Sequence, residues 1–105
     1  METLVPAPPT DVLKALSDPV RLDICRSLAN EELCVCHLTE DLGISQPLLS
    51  HHLKVLREAG LVDTRKHSYW SYYRLRPDAI QELAEELGRL SRSASLVVSA
   101  RPCPV

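Results

Sequence analysis

A mainly α-helical winged helix-turn-helix, with one β-hairpin and the element order α-α-α-α-β-β-α, is the fold this sequence predicts. Three observations predict it. Apolar residues recur at helical spacing in four successive segments before residue 60, each punctuated by a capping residue, a proline or a glycine. Two short strand-like segments follow at once and read as a hairpin. One more helical stripe closes the pattern after Pro77. A helix-turn-helix placed directly before a hairpin is a winged-helix layout.

The elements justify themselves in order. Residues 1–10 hold three prolines and are expected to form a flexible arm. Asp11–Leu16 reads as a short helix with Val12, Leu13 and Leu16 apolar. Ser17-Asp18-Pro19 is a capping signal, a short polar acceptor followed by proline in the first turn. The second helix then runs from Pro19 to about Ala29, with Leu22, Cys25 and Leu28 along its stripe. Val35, Leu38 and Leu42 set a third, short helix, and Gly43 suits its left-handed end. Ser45 caps a fourth helix with Pro47 in its first turn, and Gly60 ends it. Leu61–Lys66 and Trp70–Leu75 form the hairpin around His67-Ser68-Tyr69, with Trp70, Tyr72 and Tyr73 expected to pack within it. Pro77 stops it, and Asp78 is expected to cap a last helix to about Leu90. Its apolar face holds Ile80, Leu83, Ala84, Leu87 and Leu90. The domain therefore spans 11–91, and residues 92–105 are expected to form a flexible tail.

Composition bounds the function. The chain has 105 residues, four aromatics and no Phe, enough for one small domain with limited means to fill a core. That scarcity points to a partner subunit completing the burial. No apolar run approaches the ~18–20 residues that span a bilayer, and the start lacks a secretion signal, so a cytoplasmic protein without a membrane partner is expected. The net charge of −2 is misleading as a total. Residues 1–44 set three cations against eight acids, −5; residues 45–76 set six against two, +4; residues 77–105 set three against four, −1. A basic middle third between acidic ends matters more than the sum where a surface meets phosphates.

The fourth helix carries the reading chemistry. Leu49, Leu53 and Leu56 share one face, with His52 beside them, and that face must pack inward. Ser45 at the cap, then Gln46, Ser50, His51, Lys54 and Arg57, project from the rest. Hydrogen-bonding groups in the first two turns and cations later are what a helix in the major groove of double-stranded DNA requires. Gln pairs bidentately with adenine, for roughly 1–3 kcal/mol of discrimination. Arg65, Lys66 and Arg74, with Arg76, give the hairpin cations for the backbone or minor groove. The competing account of both sets is an ordinary solvated surface.

Four cysteines remain: Cys25, Cys34, Cys36 and Cys103. In a reducing cytosol structural disulfides are not expected, and the spacing is not that of a zinc finger. Cys34-Val35-Cys36 is the notable unit. With only three glycines and no phosphate cradle, an enzyme such as an arsenate reductase is not supported, and no organic cofactor is implied.

Over Leu16–Leu75 the chain resembles the ArsR/SmtB family of metal-sensing winged-helix repressors. The matching phrases are Leu16-Ser17-Asp18-Pro19-Val20-Arg21-Leu22, Ser45-Gln46-Pro47 through Ser50-His51-His52-Leu53, and Leu56-Arg57-Glu58-Ala59-Gly60-Leu61-Val62. Glu32-Leu33-Cys34-Val35-Cys36-His37-Leu38 is similar to the family's thiolate box, with His37 in place of its usual Asp. The resemblance implies a homodimer that binds operator DNA and leaves it when metal binds. It also implies a dimer interface on the first and last helices, here Val12, Leu13, Leu16, Ile80, Leu83, Leu87 and Leu90. The family's last-helix zinc or cobalt site needs His, and none lies beyond His67. The thiolate box implies a soft ion: arsenite or antimonite, with cadmium, lead or mercury as alternatives. Cadmium and lead sensors usually add N-terminal cysteines, and residues 1–24 contain none. In the closest arsenical repressors a third Cys follows at the position held here by Thr39.

Positions two apart in a regular helix point about 200° apart, so Cys34 and Cys36 in such a turn cannot share one ion without deforming it. The deformation would re-aim Gln46 and Ser50. For the third ligand Cys25 ranks ahead of Cys103, although a buried structural Cys is the plainer reading of Cys25. A hydroxide or small thiol is a further option, and His37 suits zinc better than arsenic. A thiol-based redox or electrophile sensor competes with the metalloid reading, and a DNA-binding module without effector is the remaining alternative.

Overall fold

The computed structural model describes residues 8–104, so most of the arm expected over 1–10 lies outside the described residues. The order is α1 (Pro9–Leu16), α2 (Pro19–Leu28), β1 (Leu33–Cys34), α3 (Val35–Leu42), α4 (Gln46–Glu58), β2 (Val62–His67), β3 (Trp70–Leu75) and α5 (Pro77–Ser95). Five helices and a three-stranded antiparallel sheet of order β1-β3-β2 make the winged helix-turn-helix.

Local chemistry sets most boundaries. Asp18 caps α2, its carboxylate accepting from the amides of Val20 at 2.8 Å and Arg21 at 3.2 Å. Gly43, at φ +64°, ends α3. Gly60, at φ +75°, closes α4 in a Schellman arrangement: its amide donates to the Arg57 carbonyl, and Leu61 donates to that of Leu56. The turn then aims the chain into β2.

Five expectations are corrected. The hairpin gains a third strand: Leu33 and Cys34 pair with Tyr73 and Tyr72 of β3. A two-residue strand has no periodicity to read, and only the free edge of β3 creates it. The hairpin turn is the two residues Ser68-Tyr69, because His67 pairs with Trp70, and Ser68 takes the positive φ that such turns demand. Helix α1 begins at Pro9, with Val12 and Ala15 buried and Leu13 exposed. Helix α5 runs to Ser95, past the end expected near Leu90, because no proline interrupts good helix formers before residue 102. Its cap position is Arg76, and Asp78 instead pairs with the Arg76 guanidinium at 3.0 Å.

The core gathers Val12, Ile24, Leu28, Leu38, Leu49, Leu53, Leu56, Leu61 and Val62. Helix α4 contributes its inner face through Leu49, His52, Leu53 and Leu56. Helices α1 and α5 pack together, burying Val12 and Leu83 within the single chain. Leu16 and Ile80 are partly covered there. Leu13, Leu87 and Leu90 keep 45%, 47% and 62% of their surface exposed.

Candidate nucleic-acid interface and thiol site

Helix α4 presents Ser45, Gln46, Ser50, His51, Lys54 and Arg57 to solvent, opposite Leu49, His52, Leu53 and Leu56. The Ser45 hydroxyl accepts from the Leu48 amide at 3.4 Å and its carbonyl from the Leu49 amide at 3.0 Å; Pro47 has no amide hydrogen, so in the first turn the Gln46 amide is the one left for an outside partner. Helix α3 packs against α4 through the left-handed turn at Gly43, giving the two helices of the helix-turn-helix.

The wing is electrostatically different from what its sequence suggests. Arg65 donates to Glu32 at 2.9 Å. Arg74 holds Asp63 with two bonds, at 2.6 and 3.2 Å, and the carboxylate beside it raises the guanidinium's already high pKa. Arg76 lies 3.6 Å from Asp63 as well as beside Asp78. Of the six cations in 45–76, only Lys54, Arg57 and Lys66 have no carboxylate partner among the described residues. The wing tip is also barer than expected: Tyr69 is 94% exposed and Trp70 55%, whereas Tyr73 packs against the core.

The thiols fall into three environments. Cys25 is buried on α2, and burial pushes its thiol up to about 11. Cys36 and Cys103 are exposed. Cys34 is not in a helical turn at all: it ends β1 and caps α3 in extended conformation. The Nδ1 of His37 accepts the Cys34 amide at 3.3 Å and lies 3.2 Å from its sulfur. The amide and the thiol share the one lone pair of that nitrogen. Among the described residues no three His, Cys, Asp or Glu side chains converge into a ready ligand cage.

Sequence reasoning missed three contributors: Glu32 and Asp63, which neutralise wing arginines, and Arg21, which reaches from α2 to His52 of α4. Asp63 is legible in hindsight, since the hairpin register sets it opposite Arg74. Glu32 and Arg21 depend on long-range packing.

Residues 18–64 match the model of the bacterial regulatory proteins of the arsR family. An arsenical resistance operon repressor of Staphylococcus xylosus is 42% identical over 78% of this chain and 79% of its own length. The chain belongs to the arsR family. An arsenic resistance transcriptional regulator of Pseudomonas putida is 47% identical, but over 70% of this chain and only 58% of its own length. An ArsR-like transcriptional regulator from Rhodococcus sp. RHA1 superposes with a TM-score of 0.76 at 26% identity, covering 83% of this chain and 82% of that one. The arsR-family regulators are DNA-binding proteins rather than enzymes, and this arsR-family chain carries their helix-turn-helix in α3 and α4. Among the described residues no helix is long and apolar enough to cross a membrane.

Proposed function

We propose that this arsR-family chain is a homodimeric repressor whose hold on operator DNA is released by a thiophilic metalloid, arsenite or antimonite, through Cys34 and Cys36. The observation that carries the reading is Cys34-Val35-Cys36 at the junction of β1 and α3, one helix before the reading helix. The relatives named for arsenic and arsenical resistance support the choice of ion over cadmium, lead or mercury. In this reading Leu13, Leu87 and Leu90 are the residues left to cover a second copy.

A bound ion would be held by Cys34 and Cys36 and would supply strong bonds to sulfur. Everything else belongs to the chain. Cys34 is tied to β3 by strand pairing, whereas Cys36 moves with the first turn of α3. Bringing both sulfurs to one centre therefore turns the start of α3 against the sheet and breaks the Cys34–His37 contacts. The hydroxides displaced from the metalloid would leave as water with the two thiol protons, and His37 stands beside the Cys34 thiol before ligation. Helix α3 carries α4 with it, displacing Gln46 and Ser50 from base edges. Moving such an equilibrium from 1:99 to 99:1 requires about 5.5 kcal/mol of differential affinity. Cys25, as a protonated buried thiol, and Cys103, on the segment after α5, rank as third ligands in that order.

The test is release of a selected DNA duplex by arsenite, followed by anisotropy. Wild-type chain should dissociate, and Cys34→Ser and Cys36→Ser should each stay bound. Unchanged release from both variants removes the thiolate mechanism. The Cys34–His37 contact also favours a second reading, oxidation of that thiol by peroxide. Release by peroxide without metalloid, and none by arsenite under reductant, would select it.

A further inference from the structure

Among the described residues His52 is the single buried polar side chain, 7% exposed, on the packed face of the reading helix between Leu49 and Leu53. Its partner is Arg21, in the first turn of α2, whose Nη1 lies 3.2 Å from the His52 Nδ1. The same guanidinium donates through Nε to the carbonyl of Ala15 at 2.6 Å. That carbonyl is in the last turn of α1, where no intrahelical donor is available. One side chain thus joins three helices: α1 by a carbonyl, α2 by its own backbone and α4 by an imidazole.

The chemistry of the link is one-directional. A guanidinium has five donors, no acceptor and a permanent charge. The His52 Nδ1 must therefore offer its lone pair, which leaves the ring neutral with its proton on Nε2. We propose that His52 is a positioning residue for DNA reading: its neutral ring, held by Arg21, sets the pose of α4, and protonating it frees the helix and weakens DNA binding. A protonated ring presents N–H to N–H, so the bond is lost and two cations face each other.

The surroundings give the charged ring no acceptor. At the cap of α2 the Asp18 carboxylate, held below the usual carboxylate range chiefly by the Arg21 amide, attracts a protonated ring but spends its hydrogen bonds on the amides of Val20 and Arg21. On α4, His51 sits with its ring centroid 5.5 Å away, and a second imidazolium there would oppose the first. From α1, Asp11 and Lys14 line a cleft of about 400 Å³ with Arg21, His51 and Glu58. None of these groups hydrogen-bonds to His52; Arg21 does. His51 carries the opposite sign of effect, because it is exposed beside Ser50 and Lys54, and protonating it adds a cation to the DNA-facing side.

The inference rests on the family's DNA binding, and its test separates the two. The full chain is first used to select a tight duplex from a random library. Affinity is then measured at constant ionic strength from about pH 8 to about pH 5.5. The His51→Gln variant removes the opposing titration. Its affinity should fall as the pH is lowered, with a limit of about tenfold per pH unit for each His52 ring that must stay neutral, hence about a hundredfold for a dimer. Adding His52→Gln should flatten that fall, since a Gln carbonyl oxygen accepts from Arg21 and takes no proton in this range. His37 and His67 are present in both variants and cancel from the comparison. Equal slopes in the two variants overturn the proposal, as does a flat profile for His51→Gln alone if His52→Gln does not fold. Long-range proton–nitrogen NMR of the free chain supplies a readout without DNA. It should place the ring proton on Nε2, and a proton on Nδ1 overturns the contact itself. Failure to select any duplex would instead count against DNA binding.

Discussion

Helix α4 and the β2–β3 wing carry the cations of the basic middle segment, yet they hold them in different ways. Helix α4 is anchored by a fully buried inner face, and its Lys54 and Arg57 face solvent without carboxylate partners among the described residues. The wing is exposed beyond its base, and Arg65 and Arg74 are each committed to a carboxylate. The contrast teaches that a count of cations overstates the field a surface presents. Of the three cations in residues 45–76 free of a carboxylate among the described residues, Lys54 and Arg57 are on the helix and Lys66 is on the wing. Exposed pairs are worth about 0–1 kcal/mol, so phosphates can recruit the wing arginines at small cost, but only by displacing Asp63 and Glu32.

The largest effect that would break this comparison is on stability. Leu56→Ala should cost about 2–5 kcal/mol in denaturant unfolding, as for a buried leucine whose neighbours cannot collapse. Tyr69→Ala at the wing tip should stay within about 0.5 kcal/mol of wild type. Comparable losses would mean the wing is part of the core. Next comes the salt dependence of DNA binding. Lys54→Gln and Arg57→Gln should each lower the slope of log affinity against log salt by about 1; Arg74→Gln should lower it less. If all three slopes are alike, the ion pairs do not mask the wing.

A smaller and opposite effect sharpens the same point. Asp63→Asn should raise affinity and steepen the slope, by releasing Arg74 and Arg76 toward phosphate. An unchanged slope would place those arginines away from DNA. Smallest is the acid response of the α2 cap. Asp18 is held below its ordinary value chiefly by the Arg21 amide. A depressed folded pKa gives stability that is present above the unfolded value, near 3.8, and lost as pH falls through the folded one. Asp18→Asn should therefore lose stability at neutral pH and show a shallower decline in acid unfolding curves than wild type.

Much of the fold was legible because its signals are local. Caps at Asp18 and Ser45, left-handed glycines at 43 and 60, and the leucine phase of α4 all act within one or two turns. The setting of Cys34 was not legible for the opposite reason. The helix expected from Val35 is there, but the edge of β3 draws Cys34 into a strand from forty residues away in the chain. Helix α5 outran its apolar stripe because propensity continues where packing stops.

By itself the sequence determined which faces pack, where helices begin and end, and that a cation-bearing helix and wing follow one another. These depend on spacing of 2 or 3.6 residues and on the conformational limits of proline, glycine and short polar side chains. Only the tertiary structure decided which charges remain unpaired, that Cys34 is held by a strand and a histidine, and that Arg21 reaches His52. Each of those joins residues distant in the chain through a hydrogen bond or ion pair only a few ångströms long, and no periodicity records such a meeting.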